Sequence, residues 1–307
     1  MQARPSVRLD AGSVAEPRRP GILIPAILAF STRLSKVWTM STLKKTLKAG
    51  ALAVACGFGL CAVARKLKVS DRLAEFAHSV EGVPFPGAAL YTFLSARQLR
   101  PLYSEIAEEI VSADHFERIL DLDTGPGYLP IEIAKRDGAV SISGTDRSAD
   151  MVRIAEADAR AARVSRSIEF ATGESGNLPF PGRYFDLVVS VNVLHHWPDP
   201  MAVFDQVFHI LEPGGQFWIY DFRREAPEEL WESLRRKLPA YLRILFTMGP
   251  MASWKAAYSE KHLLQLASQS HFEDPILEPG TFTLFGRKMP VFNRLRLTKP
   301  AHVKEES

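Results

Sequence analysis

Ile119-Leu-Asp-Leu-Asp-Thr-Gly-Pro-Gly127 is the point at which the fold of this chain declares itself. Arg118 to Leu122 is a short apolar strand, Asp123 to Gly127 is a turn, and Tyr128 to Arg136 has the pattern of a helix that starts at once. Pro130 is tolerated because it falls in the first helical turn, where an N–H has no intrahelical partner. A strand that passes through a glycine turn straight into a helix gathers several backbone N–H groups and a helix dipole at one place, and that place attracts an anion. Pro130 stands where the dinucleotide-binding pattern requires a third small residue after Gly125 and Gly127, so a dinucleotide is disfavoured.

Outward from this stretch the hydrophobic period switches between 2 and 3.6, the pattern of strands alternating with helices over a parallel sheet. A second strand is expected near Val140 to Thr145, followed by Asp146, whose carboxylate is placed to accept hydrogen bonds from two ribose hydroxyls. Ser148 is a helix N-cap, with Met151, Ile154, Ala155 and Ala162 marking the buried stripe of the helix that follows. Further strands are expected at Ser167 to Ala171, Phe185 to Val191 and Gln216 to Tyr220, with a helix from Met201 to Leu211 and a sharp turn at Pro213-Gly-Gly215. Residues 222–254, charged at first and then apolar, read as a lid that includes Trp231, Tyr241, Phe246 and Trp254. Ser259 to Gln269 is helical in pattern, and Pro275 to Leu277 with Thr281 to Gly286 is expected to close the sheet as a hairpin. The expected class is α/β, doubly wound around a mostly parallel sheet.

Four stretches, in order and spacing, resemble the class I S-adenosylmethionine-dependent methyltransferases, especially the small-molecule group described as type 11. They are Ile119 to Gly127; Gly144-Thr-Asp-Arg-Ser148 with Met151; Gly173-Glu-Ser-Gly-Asn-Leu-Pro-Phe180 with Phe185 to Ser190 and Leu194-His-His196; and Leu211-Glu-Pro-Gly-Gly215. The resemblance implies a Rossmann-like methyltransferase fold with a mostly parallel seven-stranded sheet, and S-adenosyl-L-methionine as cofactor. It also implies that Asp121, Gly125 and Gly127 cradle the methionine part, and that Asp146, followed by Arg147, holds the ribose. Glu174 and Ser175 then face the adenine, and Asn192 opens the segment that passes the methyl group. Asp123 departs from the pattern: it stands where the family carries its first glycine, close to the cofactor's carboxylate, which its own charge opposes unless it turns to the ammonium group.

Methyl transfer from a sulfonium needs an acceptor held in line with the S–CH₃ bond and, at most, removal of a proton. His195 and His196 follow the fourth strand, and either is a candidate general base. Both cysteines, Cys56 and Cys61, lie far upstream of these motifs, so a cysteine nucleophile is not available to them. No metal-ligand spacing is present. The aromatic lid and Phe85 to Leu102 are expected to close over a small lipophilic acceptor such as a quinone precursor, sterol or lipid.

Charge divides the chain. Residues 1–72 carry 13 Lys+Arg against 3 Asp+Glu, so a leader at +10 precedes a body at −7 within a net of +3. That body argues against a nucleic-acid surface. Residues 1–39, rich in Arg and Pro, are expected to be unstructured, and residues 40–70 to form an apolar helix flanked by basic residues. Residues 71–298 are expected to form the methyltransferase domain, and residues 299–307 a polar tail. The uncharged run Ala49 to Ala64 would reach about 24 Å as a helix, against a hydrocarbon core of roughly 30 Å. Membrane contact through residues 41–68, a cleaved signal starting at Met40 and a helix packed on its own protein all fit this segment. The catalytic domain is expected in the cytoplasm, where its cofactor is found, and associated with the membrane through the leader.

The departure at position 123 yields a first prediction: Asp123→Gly binds S-adenosylmethionine at least as tightly as the parent chain in a calorimetric titration. A large loss of affinity contradicts it.

Overall fold

The computed structural model describes residues 87–238, 243, 246, 247, 250–284 and 286–301, with side chains from Leu99 onward. The expected leader, basic-flanked helix, membrane contact at 41–68, residues 302–307 of the tail, and Tyr241 lie outside the described residues. Among the described residues no helix is long and apolar enough to cross a membrane.

The chain enters through helix α1 (Gly87–Ala113), then alternates β1 (Arg118–Leu122), α2 (Tyr128–Arg136), β2 (Ser141–Asp146), α3 (Ala149–Ala162) and β3 (Ile168–Thr172). A loop without a helix leads to β4 (Phe185–Val191), a single 3₁₀ turn (Leu194–His196), α4 (Pro200–Ile210) and β5 (Leu211–Phe222). The remainder is α5 (Glu228–Lys237), α6 (Pro250–Ala256), α7 (Glu260–Gln269), β6 (Glu273–Leu284) and β7 (Arg287–Thr298). Seven strands form one sheet in the order β3-β2-β1-β4-β5-β7-β6. Strands β1 to β5 are mutually parallel, and β7 is antiparallel to both its neighbours.

The central strand β4, Phe185-Asp-Leu-Val-Val-Ser-Val191, is almost continuously apolar because both its faces are covered. Leu187, Val189 and Val191 join the core beneath α1, α2 and α3, whereas Phe185 and Val188 join the second core beneath α4 and α7. Strand order reverses between β1 and β4, so a crevice opens beyond their carboxyl ends, the usual ligand position in open α/β sheets.

The expected α/β class and the doubly wound, mostly parallel seven-stranded sheet are what the structure shows. Two local expectations are corrected. Pro275 to Leu277 and Thr281 to Leu284 belong to the single strand β6, and the hairpin partner is β7, whose side chains Met289, Val291, Leu295 and Leu297 are buried. Pro275 and Pro279 are accommodated because β6 is the edge strand of the sheet formed by the described residues, bonded there to β7 alone. Pro213-Gly-Gly215 does not precede β5 but lies within it: the register with β4 shifts between Phe185 and Leu187, and Gly214 absorbs the bulge with φ 81°. Leu99 to Leu102 belong to the long helix α1, which buries Leu102, Ile106, Ala107 and Ile110 at helical spacing despite Pro101.

Helix α1 is fastened by charge as well as by packing. Glu109 pairs with Arg294 and Arg296 of β7, and Glu105 accepts hydrogen bonds from Thr283 of β6. The 27 residues of α1 span about 40 Å, far more than the five residues of β1.

Within the segment expected as a lid, Trp231, Phe246 and Trp254 are buried in the main core. The Trp231 ring stacks on Trp254 at 5.6 Å and meets Phe222 edge-on at 5.2 Å. Truncating a fully buried aromatic side chain leaves a cavity, so Trp231→Ala is expected to cost about 3–5 kcal/mol in a urea titration. A loss below about 1 kcal/mol would mean that this cluster is not part of the folded core.

Candidate functional site

The crevice is built on the turn after β1. Gly127 has φ 75° and a Cβ there would lie 2.9 Å from both the Ala155 Cβ and the Phe170 Cζ, so two independent constraints exclude a side chain. Gly125, at φ 55°, faces open space instead. Helix α2 begins immediately after Gly127 without a side-chain cap. Its first free N–H groups therefore remain available beside the crevice.

Three carboxylates converge on this turn. Asp121 is buried and accepts the Thr124 hydroxyl at 2.5 Å. Burial pushes its carboxyl up to about 7, offset in part by the Thr124 hydrogen bond and reinforced by Asp123 and Asp146. Asp146, at the end of β2, accepts the Gly125 N–H at 2.9 Å and the Ser148 N–H at 2.8 Å. It thus ties the glycine turn to the start of α3, and burial raises its pKa against those two bonds. Asp123 holds a left-handed backbone, φ 58°, which few residues other than glycine, asparagine and aspartate adopt readily. Its Oδ2 accepts the Ser175 hydroxyl at 2.6 Å and the Trp197 Nε1–H at 2.7 Å. Burial again raises its pKa, and Arg147 opposes the rise.

The structure therefore brings Asp121, Asp123, Gly125, Gly127, Asp146 and Ser175 into one contiguous set. Arg147 is exposed at the end of β2, and Glu174 is exposed on a short loop where it bridges Asn177. Asn192 follows β4 at φ 63°, donates its N–H to the Tyr220 carbonyl at 2.6 Å and keeps a buried Oδ1 that has no partner among the described residues.

The two histidines separate. The His195 side chain is fully enclosed, with Nδ1 2.8 Å from Asp221 Oδ1 at the end of β5. The Asp221 carboxylate also accepts the His195 and Phe222 backbone N–H groups, at 3.0 and 2.7 Å, so its orientation is fixed. The His195 Nε2 is buried and has no hydrogen-bond partner among the described residues. His196, 4.1 Å away between ring centroids, is exposed at the rim. Desolvation and then the neighbouring His195 push its pKa down to about 4, Asp221 opposing.

Asp221, Thr124 and Trp197 escaped the sequence reading. Asp221 left one trace, a carboxylate at the end of the apolar run Phe217-Trp-Ile-Tyr220, while Trp197 left none. Among the described residues no group of three or more His, Cys, Asp or Glu side chains is placed to hold a metal ion.

Comparison with known proteins agrees with this architecture. Residues 119–215 match the family model described as a methyltransferase domain. The 2-phytyl-1,4-naphtoquinone methyltransferase of Synechococcus elongatus is 31% identical over 150 residues, 48% of this chain and 64% of that protein. The sterol 24-C-methyltransferase of Gibberella zeae is 30% identical over 105 residues, 34% of this chain and 27% of that protein. The matched segment thus spans less than two thirds of either curated relative. A solved structure from Methanococcus maripaludis, described as a candidate S-adenosylmethionine-dependent methyltransferase, shares the fold with a TM-score of 0.54 and 22% identity over 71% of this chain and 94% of that one. Residues 119–215 thus carry a methyltransferase domain, and the fold is similar to that of the S-adenosylmethionine-dependent methyltransferase family. S-adenosylmethionine is the cofactor of that family. The residues fit it: a turn open at Gly125, uncapped helical N–H groups and three carboxylates suit a cationic ligand that carries its own carboxylate.

Gly127→Ala is expected to weaken S-adenosylmethionine binding at least tenfold and to lower the melting temperature, because the turn must move to clear Ala155 and Phe170. Calorimetry with a thermal melt checks this, and unaltered affinity would contradict the account of the turn.

Proposed function

We propose that the chain transfers a methyl group from S-adenosylmethionine to a small lipophilic acceptor, with His195 as general base. The observation that carries this is the enclosed His195–Asp221 pair, two residues from Trp197, whose indole N–H bonds Asp123 at the glycine turn. When bound, the cofactor supplies an electrophilic methyl group on a sulfonium. Asp146 would hold the ribose through its remaining lone pairs, Asp121 and the turn would hold the methionine part, and Glu174 and Ser175 would border the adenine.

Asp221 holds the Nδ1–H of His195, which leaves Nε2 as the acceptor of a proton and compensates the positive charge that follows. Among the described residues His196 has no comparable partner, and its lowered pKa makes it a weak base. Enclosure of the pair excludes water, which suits an oily acceptor better than a polar one. Two relatives are named for a phytyl naphthoquinone and a sterol, which supports a quinone precursor, sterol or lipid as the acceptor class. The segment 222–254 and the amino-terminal part of α1 would border the acceptor. The basic flanks of Ala49 to Ala64 would hold the domain to anionic lipid on the cytoplasmic side, close to such an acceptor.

A second reading is a binding or regulatory protein of the same fold with weakened catalysis. The charged side chain of Asp123 in the cofactor crevice favours it.

Labelled-methyl transfer into a lipid extract tests the proposal, with label expected in an organic-soluble product. His195→Ala should lower turnover about a hundredfold or more and leave cofactor affinity unchanged. Full turnover in that variant would remove His195 from the mechanism. Cofactor binding without transfer to any extract component would favour the second reading.

A further inference from the structure

We propose that Asp123 makes this crevice discriminate between the sulfonium cofactor and its neutral thioether product, S-adenosylhomocysteine, so that product is released readily after transfer. The inference rests on the reading of the crevice as the S-adenosylmethionine site, and it concerns a residue that the family pattern leaves without a side chain.

Asp123 sits between the end of β1 and Gly125, on the backbone that lines the crevice. It is not a loosely placed surface acid. Its Oδ2 is held from two directions, by Ser175 in the loop after β3 and by Trp197 after the 3₁₀ turn that follows β4. Both donors are neutral, so they orient the carboxylate without cancelling its charge. That charge is felt across the crevice, since it raises the pKa values of both Asp121 and Asp146.

The two ligands share adenosine, ammonium and carboxylate groups and differ in one methyl group and one positive charge at sulfur. Repulsion between Asp123 and the ligand carboxylate is common to both and cancels in the ratio of their affinities. Attraction to the sulfonium does not cancel. An opposite charge within about 4–6 Å favours the charged form of its partner by about tenfold to a thousandfold. The nearby Arg147 and the partly exposed position of Asp123 place the expected effect at the lower end of that range.

Asp123→Asn isolates the charge. Asparagine keeps the shape, accepts the same two hydrogen bonds through its Oδ1 and tolerates the left-handed backbone. Calorimetric titration of the full chain with each ligand should show the preference for S-adenosylmethionine over S-adenosylhomocysteine falling about tenfold in this variant. Asp123→Gly, measured alongside with a thermal melt of each protein, should show the same fall and keeps the test decisive if the asparagine variant is unfolded. A ratio unchanged within about twofold in the folded variants, with both ligands bound, overturns the proposal and leaves the cofactor site standing. Failure of the parent chain to bind either ligand overturns both.

Discussion

The close approach of the β1–α2 turn to its neighbours is the constraint on which the rest of the site depends. Gly127 leaves no room for even a methyl group against Ala155 of α3 and Phe170 of β3, and Gly144 of β2 meets the same Phe170 ring at 2.7 Å from its would-be Cβ. One aromatic side chain is thus wedged against two glycines, and it fixes the height of the turn relative to β2 and β3. From that contact follows the direction of α2, the position of its uncapped amino terminus, and the reach of Asp146 to the Gly125 N–H.

The same compactness assembles acidic groups that repel one another. Asp121, Asp123 and Asp146 all have pKa values raised first by burial, and the charges of Asp123 and Asp146 both act on Asp121. For a carboxyl whose folded pKa lies above its unfolded value, ionisation works against the folded state. For Asp121 that cost grows as pH rises from 3.8 toward about 7. The structure offsets it with local donors: Thr124 for Asp121, Ser175 and Trp197 for Asp123, and two backbone N–H groups for Asp146. A cationic ligand would relieve the remaining repulsion. Binding and folding are therefore coupled through the same carboxylates, and the overall negative charge of the body is incidental to this local arrangement.

Much of this was legible in the sequence. The limits of β1, α2 and β4 follow from an apolar run, a glycine turn and a helical stripe, because each signal is local. Long-range partners are not. Strand β6 carries Pro275 and Pro279, which break a strand pattern unless one knows that the strand lies at an edge, and this divided it in the sequence reading. Helix α1 is interrupted in pattern by Pro101, and its continuity comes from packing on α2 and β6. Among site residues, the glycine turn and Asp146 announced themselves by position. Trp197 and Asp221 act through side chains that reach 74 and 26 residues back along the chain, which no local pattern encodes. The trio of Trp231, Phe246 and Trp254 was visible as aromatic content, but burial in the core appears only once the helices are assembled.

The central claim is that the crevice at the carboxyl ends of β1, β2 and β4 seats the cofactor, with the methyl-bearing end directed to the His195–Asp221 pair. A crystal structure of the chain with S-adenosylhomocysteine tests this most directly. The account predicts the ribose hydroxyls on Asp146, the amino-acid end over Gly125 to Gly127, and the sulfur facing His195. Nucleoside density at any other place on the protein, or a sulfur directed away from the histidine, would contradict it.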